Sequence, residues 1–363
     1  MKLAVLTIAT IAAVAGADKW NGYTFEQYCA DFGKNYPGFQ LSERKALFEA
    51  TLRRVLKHNS EVHTWEMAMN VFSDMTKEEI QRFKGRSPAE STGERAELAD
   101  SFWKTLKPLT ALPESIDWRD RGVVTPVRNQ GGCGSCWAFS ATAALESHVA
   151  LQTGKLLELS PQQLISCSPD PDSCGGYGGC SGSTSWLAFN YSIGVGMTLE
   201  SDYPYTAKTG TCDPTHIKRV AGVRGYVRLP TNNYTALMNA VATVGPVSIA
   251  LSADFTSYSA GVFSGCVGDV LVDHAVVLVG YGTDPVGGAY YLVRSSWGEE
   301  WGEKGYIRIQ RRANDDSNCA TDPAPSQGSA CMPYPASTIV CGMCGILSDS
   351  SFPTGGFVPE GIV

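Results

Sequence analysis

The residues best suited to chemistry lie in Gln130-Gly131-Gly132-Cys133-Gly134-Ser135-Cys136-Trp137-Ala138-Phe139-Ser140. Glycines and a serine end a loop there, and a helical pattern opens at Cys136, runs to Gln152 and stops before Gly154. Ser135 stands at the N-cap position. A thiol in a first helical turn meets the positive end of the helix dipole and free backbone amides, which favour thiolate over thiol. The result is a nucleophile near neutral pH. Cys133-x-x-Cys136 also fits a redox pair or half of a zinc site, but no short strand of a βαβ unit precedes it and a Trp follows its second Cys.

A thiolate nucleophile needs a base, and the chain beyond residue 112 offers His148, His216 and His274. His148 lies on the same helix about 18 Å beyond Cys136, at 1.5 Å per residue, which makes it structural. His216 sits in a polar loop near Cys212. His274 opens the strand-like run Asp273-His274-Ala275-Val276-Val277-Leu278-Val279-Gly280, whose apolar neighbours would exclude water. A thiolate and an imidazolium in such a pair stabilise each other.

The elements that must position these groups fall into distinct stretches. Lys2, the apolar run Leu3 to Val14 and Ala15-Gly16-Ala17 read as a signal peptide over residues 1–17, a run too short to span about 30 Å of hydrocarbon. Residues 18–86 are charged and glycine-poor with helical apolar spacing at Phe25, Tyr28, Phe32 and at Leu47, Phe48, Leu52, Val55, Leu56. Residues 87–111 lose that spacing and read as an exposed connector open to proteolytic nicking. From 112 to 363, the helix at Cys136 is followed by β-type runs at Val247–Leu251, Ala275–Val279, Tyr290–Val293 and Tyr306–Ile309, so helix comes first and sheet second. The expected product follows the secretory route, lysosomal, vacuolar or extracellular, and its twelve cysteines mean bridges before metal. A net charge of -7 argues against nucleic acid or an anionic membrane as partner.

The segment around Cys136 resembles the active-site signature of the papain-like cysteine peptidases. Arg44, Phe48, Val55 and Asn59 fall at the spacing of that family's propeptide helix motif, while Gln40 and Thr51 depart from it. Asn70, Phe72 and Asp74 match its next motif, with Ala68 for the usual Gly. The resemblance implies an α+β, papain-like two-lobe fold, a helical lobe plus a β-barrel-like lobe, preceded by a helical inhibitory propeptide. It implies a cysteine endopeptidase made as a zymogen, with no cofactor and no metal, acting on polypeptides as a monomer without membrane insertion and inhibited by its own propeptide. Cys136 and His274 would form the thioester chemistry, and Gln130 would join the Cys136 amide in holding the oxyanion.

One position departs from the pattern. The family places Asn before Ser-Trp-Gly to orient the imidazole, and this chain has Ser295 there. Its shorter hydroxyl can accept the bond, directly or through a water, and loss of the bond would cost about 1–3 kcal/mol, or about ten- to a hundred-fold in rate. A weakly active or non-catalytic binding protein is the alternative that this exchange suggests. Trp297 would shield the histidine from solvent.

The resemblance further implies bridges Cys133–Cys180, Cys167–Cys212 and Cys266–Cys344. Cys174, Cys319, Cys331 and Cys341 are left with three possible pairings. It assigns the second upstream subsite to Gly182, Ser183, Thr184, Ser185, Ala250, Val272, Ala275 and Asp349. Asp349 at the floor would either hold an Arg or Lys side chain or be a solvated loop acid. Residues 312–341 read as a stapled surface insertion. Of the sequons at Asn190 and Asn233, the second is the expected glycosylation site, since Asn190 falls in a helical pattern. Acid is expected to favour activation by protonating prosegment carboxylates.

Overall fold

The computed structural model describes residues 19–85, 102–328 and 330–361. The signal peptide and most of the connector lie outside these residues.

The prosegment opens with α1 (Phe25–Asp31), closed at its N-terminus by a capping box between Thr24 and Gln27, and α2 (Gly38–Ser60). Strand β1 (Trp65–Met67) and α3 (Lys77–Gln81), capped by Thr76 and Glu79, complete it. Phe25, Tyr28, Phe48 and Val55 are the buried positions of the apolar spacing, and they meet in one small core. Phe48 and Asn59, expected from the propeptide motif, are both buried, and Asn59 exchanges two hydrogen bonds with the Met67 backbone at 2.8 and 2.9 Å.

The helical lobe is built on α4 (Cys136–Thr153), with α5 (Pro161–Cys167) and α6 (Ser185–Val195) packed on it. Residues Cys136 to Ala150 of α4 are all buried, so this helix is a central beam with no polar face. It ends at Gly154, whose φ of +73° is the left-handed cap that glycine permits. The second lobe is a sheet of β2 (Ile116–Asp117), β3 (Gly225–Arg228), β4 (Val247–Leu251), β5 (Tyr258–Phe263), β6 (His274–Asp284), β7 (Gly288–Arg294), β8 (Tyr306–Gln310) and β11 (Ser350–Thr354), against which α7 (Tyr234–Thr243) packs. Its strand order is β1-β5-β8-β7-β6-β4-β11-β3, with β2 on β6, so the prosegment strand β1 extends the mature sheet through β5. A separate hairpin, β9 (Cys319–Asp322) with β10 (Thr338–Cys341), rises from the insertion.

The lobes meet along the first residues of α4 and β6. Ser140 of α4 bonds both Ser248 Oγ and Val276 O at 2.7 Å. Five bridges form: the three that the resemblance implied, and Cys174–Cys331 and Cys319–Cys341. Cys29 and Cys136 take part in none of these bridges. The described part of the connector is exposed over residues 104–110 but is anchored at two points. Phe102 is buried against Phe352, with ring centroids 5.4 Å apart, and Lys107 and Asn239 exchange bonds at 2.7 and 3.0 Å, so the connector touches the mature domain at these two residues.

Candidate active site

Cys136 begins α4 because the glycine-rich loop before it turns tightly and the Cys133–Cys180 bridge fixes that loop. Ser135 occupies the N-cap position but does not cap. Its hydroxyl is drawn toward Cys133 O at 3.3 Å and Tyr205 Oη at 3.0 Å, so its side chain takes none of the amides of the first turn. The sulfur rests against the start of β6, where the Ala275 N–H donates to Sγ at 3.3 Å. On its open side stands the Gly85 carbonyl of the prosegment, accepting from Sγ at 2.9 Å.

His274, the first residue of β6, is buried, and its ring stacks on Trp297 with centroids 4.6 Å apart. Gln130 is fully buried. Its Nε2 donates to Cys133 O at 2.9 Å and to the prosegment carbonyl of Phe83 at 3.0 Å, while its Oε1 accepts from Ser296 Oγ at 2.5 Å. Trp297 Nε1 donates to the same Phe83 oxygen at 3.3 Å. A peptide carbonyl thus sits on two fixed donors beside the thiol.

Ser295 is buried and its Oγ makes no direct hydrogen bond, which leaves the water-bridged of the two expected arrangements. Beside it lies a small cavity of about 20 Å³ lined by Phe139, Ser140, Ala143, Ala275, Arg294, Ser295 and Ser296, room for one water molecule.

The expected subsite residues fall on β4, on β6 and the turn before it, and at the start of α6. Ala250 pairs with Ala275 across β4 and β6, and Val272 joins Ala250 in a buried cluster. Ser183, Thr184 and Ser185 are buried where α6 begins. Gly182 has φ +93°, and a Cβ there would lie 2.0 Å from Gly175 O, so only glycine fits. Asp349 matches neither expectation. It is neither solvated nor open, but buried 3.7 Å from Arg228, whose guanidinium lies over the Trp186 ring and is pushed down to about 10 by burial. Its charge already has an internal partner, which removes the reason to expect selection of a basic substrate side chain there.

His148 bonds Pro246 O at 2.9 Å and burial pushes it down to about 4, a neutral structural histidine far from the thiol in chain and in role. His216 is exposed beside Asp213 at 2.9 Å. Sequence reasoning overlooked Asp273, which pairs with Lys84 of the prosegment at 2.9 Å, and Ser296, which holds Gln130. Each adjoins a residue that was singled out, yet only the fold reveals its partner.

Residues 112–327 match the papain family cysteine protease model, and residues 25–80 match the cathepsin propeptide inhibitor domain. Procathepsin L of Rattus norvegicus is 39% identical over 333 residues, covering 88% of this chain and 96% of that protein. Cathepsin K of Mus musculus is 41% identical over 284 residues, covering 75% and 82%. The structure of digestive procathepsin L2 from Tenebrio molitor superposes with a TM-score of 0.74 at 33% identity, covering 93% of this chain and 99% of that one, and that of a recombinant stem bromelain precursor with a TM-score of 0.72 at 34% identity, covering 91% and 97%. The chain belongs to the papain family of cysteine proteases and carries that family's inhibitory prosegment. It is a zymogen cysteine endopeptidase, and the binding-protein alternative is not favoured.

Proposed function

We propose that Cys136, His274 and Gln130 carry the peptidase reaction. The supporting observation is the prosegment backbone itself: the Phe83 carbonyl rests on Gln130 Nε2 and Trp297 Nε1 while the next carbonyl but one faces Cys136 Sγ. A substrate peptide in that groove offers its carbonyl carbon to the sulfur. Sγ attacks, the carbonyl oxygen becomes an oxyanion held by the Gln130 amide and the N-terminal amide of α4, and His274 protonates the leaving amine. Water then cleaves the thioester, giving its proton to His274 and returning the thiolate. Ser295 orients the ring through a bridging water. Trp297 covers the ring, and Gly182, Ser183, Thr184, Ala250, Val272, Ala275 and Asp349 line the second upstream subsite, whose buried Arg228–Asp349 pair suits it to neutral side chains.

The prosegment 18–86 blocks this groove until removed, with cleavage in 87–111 releasing residues 112–363. The protein acts as a monomer on the secretory route, in a lysosome or vacuole or outside the cell; among the described residues no helix is long and apolar enough to cross a membrane. Acid incubation of the purified precursor tests this reading. Loss of the prosegment mass and appearance of fluorogenic peptide hydrolysis are expected together. Processing without hydrolysis would contradict it.

A further inference from the structure

The two donors for the oxyanion, Gln130 Nε2 and the first amide of α4 at Cys136, stand at opposite ends of the loop 131–135. Three of its five residues are glycines, and Gly131 has φ +57°, so the loop has little stiffness of its own. Its middle is held by the Cys133–Cys180 bridge and by the Gly134 N–H on Cys180 O at 3.0 Å. Gln130 is held from the sheet lobe, its N–H donating to Ser296 O at 2.8 Å and its Oε1 accepting from Ser296 Oγ at 2.5 Å. Each of these ties fixes one part of the loop, and neither joins its two ends.

One side chain does join them. The Tyr205 hydroxyl gives its single proton to Gln130 O at 2.5 Å, a carbonyl that can only accept, and its oxygen therefore accepts from the Ser135 hydroxyl at 3.0 Å. A single oxygen thus touches the residue that carries the first donor and the residue just before the second. Tyr205 is itself well fixed in the helical lobe. Its N–H donates to Glu200 Oε1 at 2.9 Å, its ring meets Phe139 of α4 edge-on with centroids 4.8 Å apart, and the neighbouring Thr206 bonds Gln162 Oε1 of α5 through its N–H at 2.9 Å and its hydroxyl at 3.0 Å. Burial pushes the phenol up to about 12, so the proton stays in place at neutral and acid pH.

We propose that Tyr205 is a positioning residue for the peptidase reaction, its hydroxyl a strut that sets the spacing of the two oxyanion donors. The inference rests on the peptidase reading above and adds to it a residue that acts through Gln130 and Ser135. Donors aimed at a developing charge must sit within about 0.5 Å of their productive place. A donor that drifts stabilises the tetrahedral oxygen less, while the uncharged carbonyl of the bound peptide loses little. Loss of the strut is therefore felt in the chemical step rather than in substrate binding.

The test compares the acid-processed parent with Tyr205→Phe, Ser135→Ala and Gln130→Ala on three probes. The first is a fluorogenic peptide. The second is a peptide aldehyde, whose carbonyl carbon bonds Cys136 Sγ while the π electron pair moves to the oxygen facing the two donors. The third is iodoacetamide, from which Sγ displaces iodide without creating such an oxygen. Tyr205→Phe is expected to lower kcat about tenfold or more with KM within about twofold, and to weaken aldehyde binding by the same factor. Alkylation by iodoacetamide at neutral pH should keep the parent rate. Ser135→Ala removes one leg of the strut, should show the same pattern at about threefold, and serves where Tyr205→Phe does not fold. Parent-like hydrolysis and aldehyde affinity in the folded variants, or alkylation slowed as much as hydrolysis, would overturn the strut. If Gln130→Ala also leaves hydrolysis and aldehyde affinity unchanged, the oxyanion assignment of the peptidase reading fails and the strut with it. A loss confined to Gln130→Ala removes the strut alone.

Discussion

The body of the prosegment and its tail are held in unlike ways. The body, residues 19–81, has its own aromatic core and a buried carboxylate, Asp74, that gathers the Tyr28 hydroxyl at 2.9 Å, Lys34 Nζ at 3.2 Å and the Tyr36 hydroxyl. It docks by pairing β1 with β5, by seating Phe72 on Trp297 at 5.0 Å, and by a bond from Asn70 Nδ2 to Thr256 O at 2.7 Å. The tail, residues 82–85, fills the cleft largely with backbone: the Phe83 and Gly85 carbonyls on the site's donors and the Gly85 N–H on Asp273 O at 3.1 Å. Binding strength and cleft occupancy therefore reside in different parts of one segment. Disrupting the first should release everything, while disrupting the second should bare the thiol and leave the body folded.

The largest effect is expected from Asp74→Ala. It leaves an ammonium and two hydroxyls buried without their shared acceptor, at a cost of about 3–5 kcal/mol. Epoxide labelling of Cys136 in the unprocessed precursor at neutral pH should rise a hundred-fold or more, and an unchanged rate would show that the body is not the anchor. Gly85→Ala should act on the tail alone, because its Cβ would lie 2.2 Å from Gly134 O. A strain of about 1–3 kcal/mol predicts labelling about tenfold faster with the prosegment's hydrogen exchange unaltered. If the body also opens, the two parts are not separable.

On the mature side, Ser295→Asn places a longer side chain with an amide oxygen at a position where the serine hydroxyl makes no hydrogen bond. Turnover of the processed enzyme should rise by up to about 1–3 kcal/mol of transition-state stabilisation, and a fall would mean that position 295 does not orient His274.

The smallest effect concerns pH. Burial pushes the Asp273 carboxyl above the usual carboxylate range and Lys84 pulls it back. Its raised pKa means that burial costs stability as pH rises through that value, and the Lys84 contact offsets this cost only while Asp273 is ionised. The contact is therefore lost as pH falls through a value above the ordinary ~3.9. In the body, Arg44 holds Glu79 down at about 2, so its contribution is present above the ordinary ~4.3 and disappears only as pH falls toward 2. The tail should let go at milder acidity than the body. Lys84→Met should flatten the acid dependence of labelling by less than ~1 kcal/mol while the unfolding of the prosegment below pH 4 stays as it was. Coincident transitions in the parent protein would break the distinction.

Much of this was legible in the sequence because the information is local. The helix at Cys136 announces itself by its loop, its spacing and Gly154, and the observed span differs from the expected one by a single residue at its end. The strand at Val247–Leu251 falls at its expected limits, while β6 extends past Val279 to Asp284 because β7 pairs along its whole length. What stayed hidden depends on partners distant in the chain. Asp349 looked like a free acid until Arg228 came beside it from β3, and the pairing of Cys174 with Cys331 joins residues separated by 157 positions. Ser135 failed as a cap because Tyr205, a residue of another loop, competes for its hydroxyl.

The central claim is that Cys136 sulfur performs the reaction beside His274. Acid-processed protein treated with an epoxide inhibitor and mapped by mass spectrometry tests it most directly. The account predicts one adduct, confined to Cys136, with hydrolysis lost in proportion. An adduct elsewhere, or undiminished hydrolysis by a contaminant-free Cys136→Ser preparation, would contradict it.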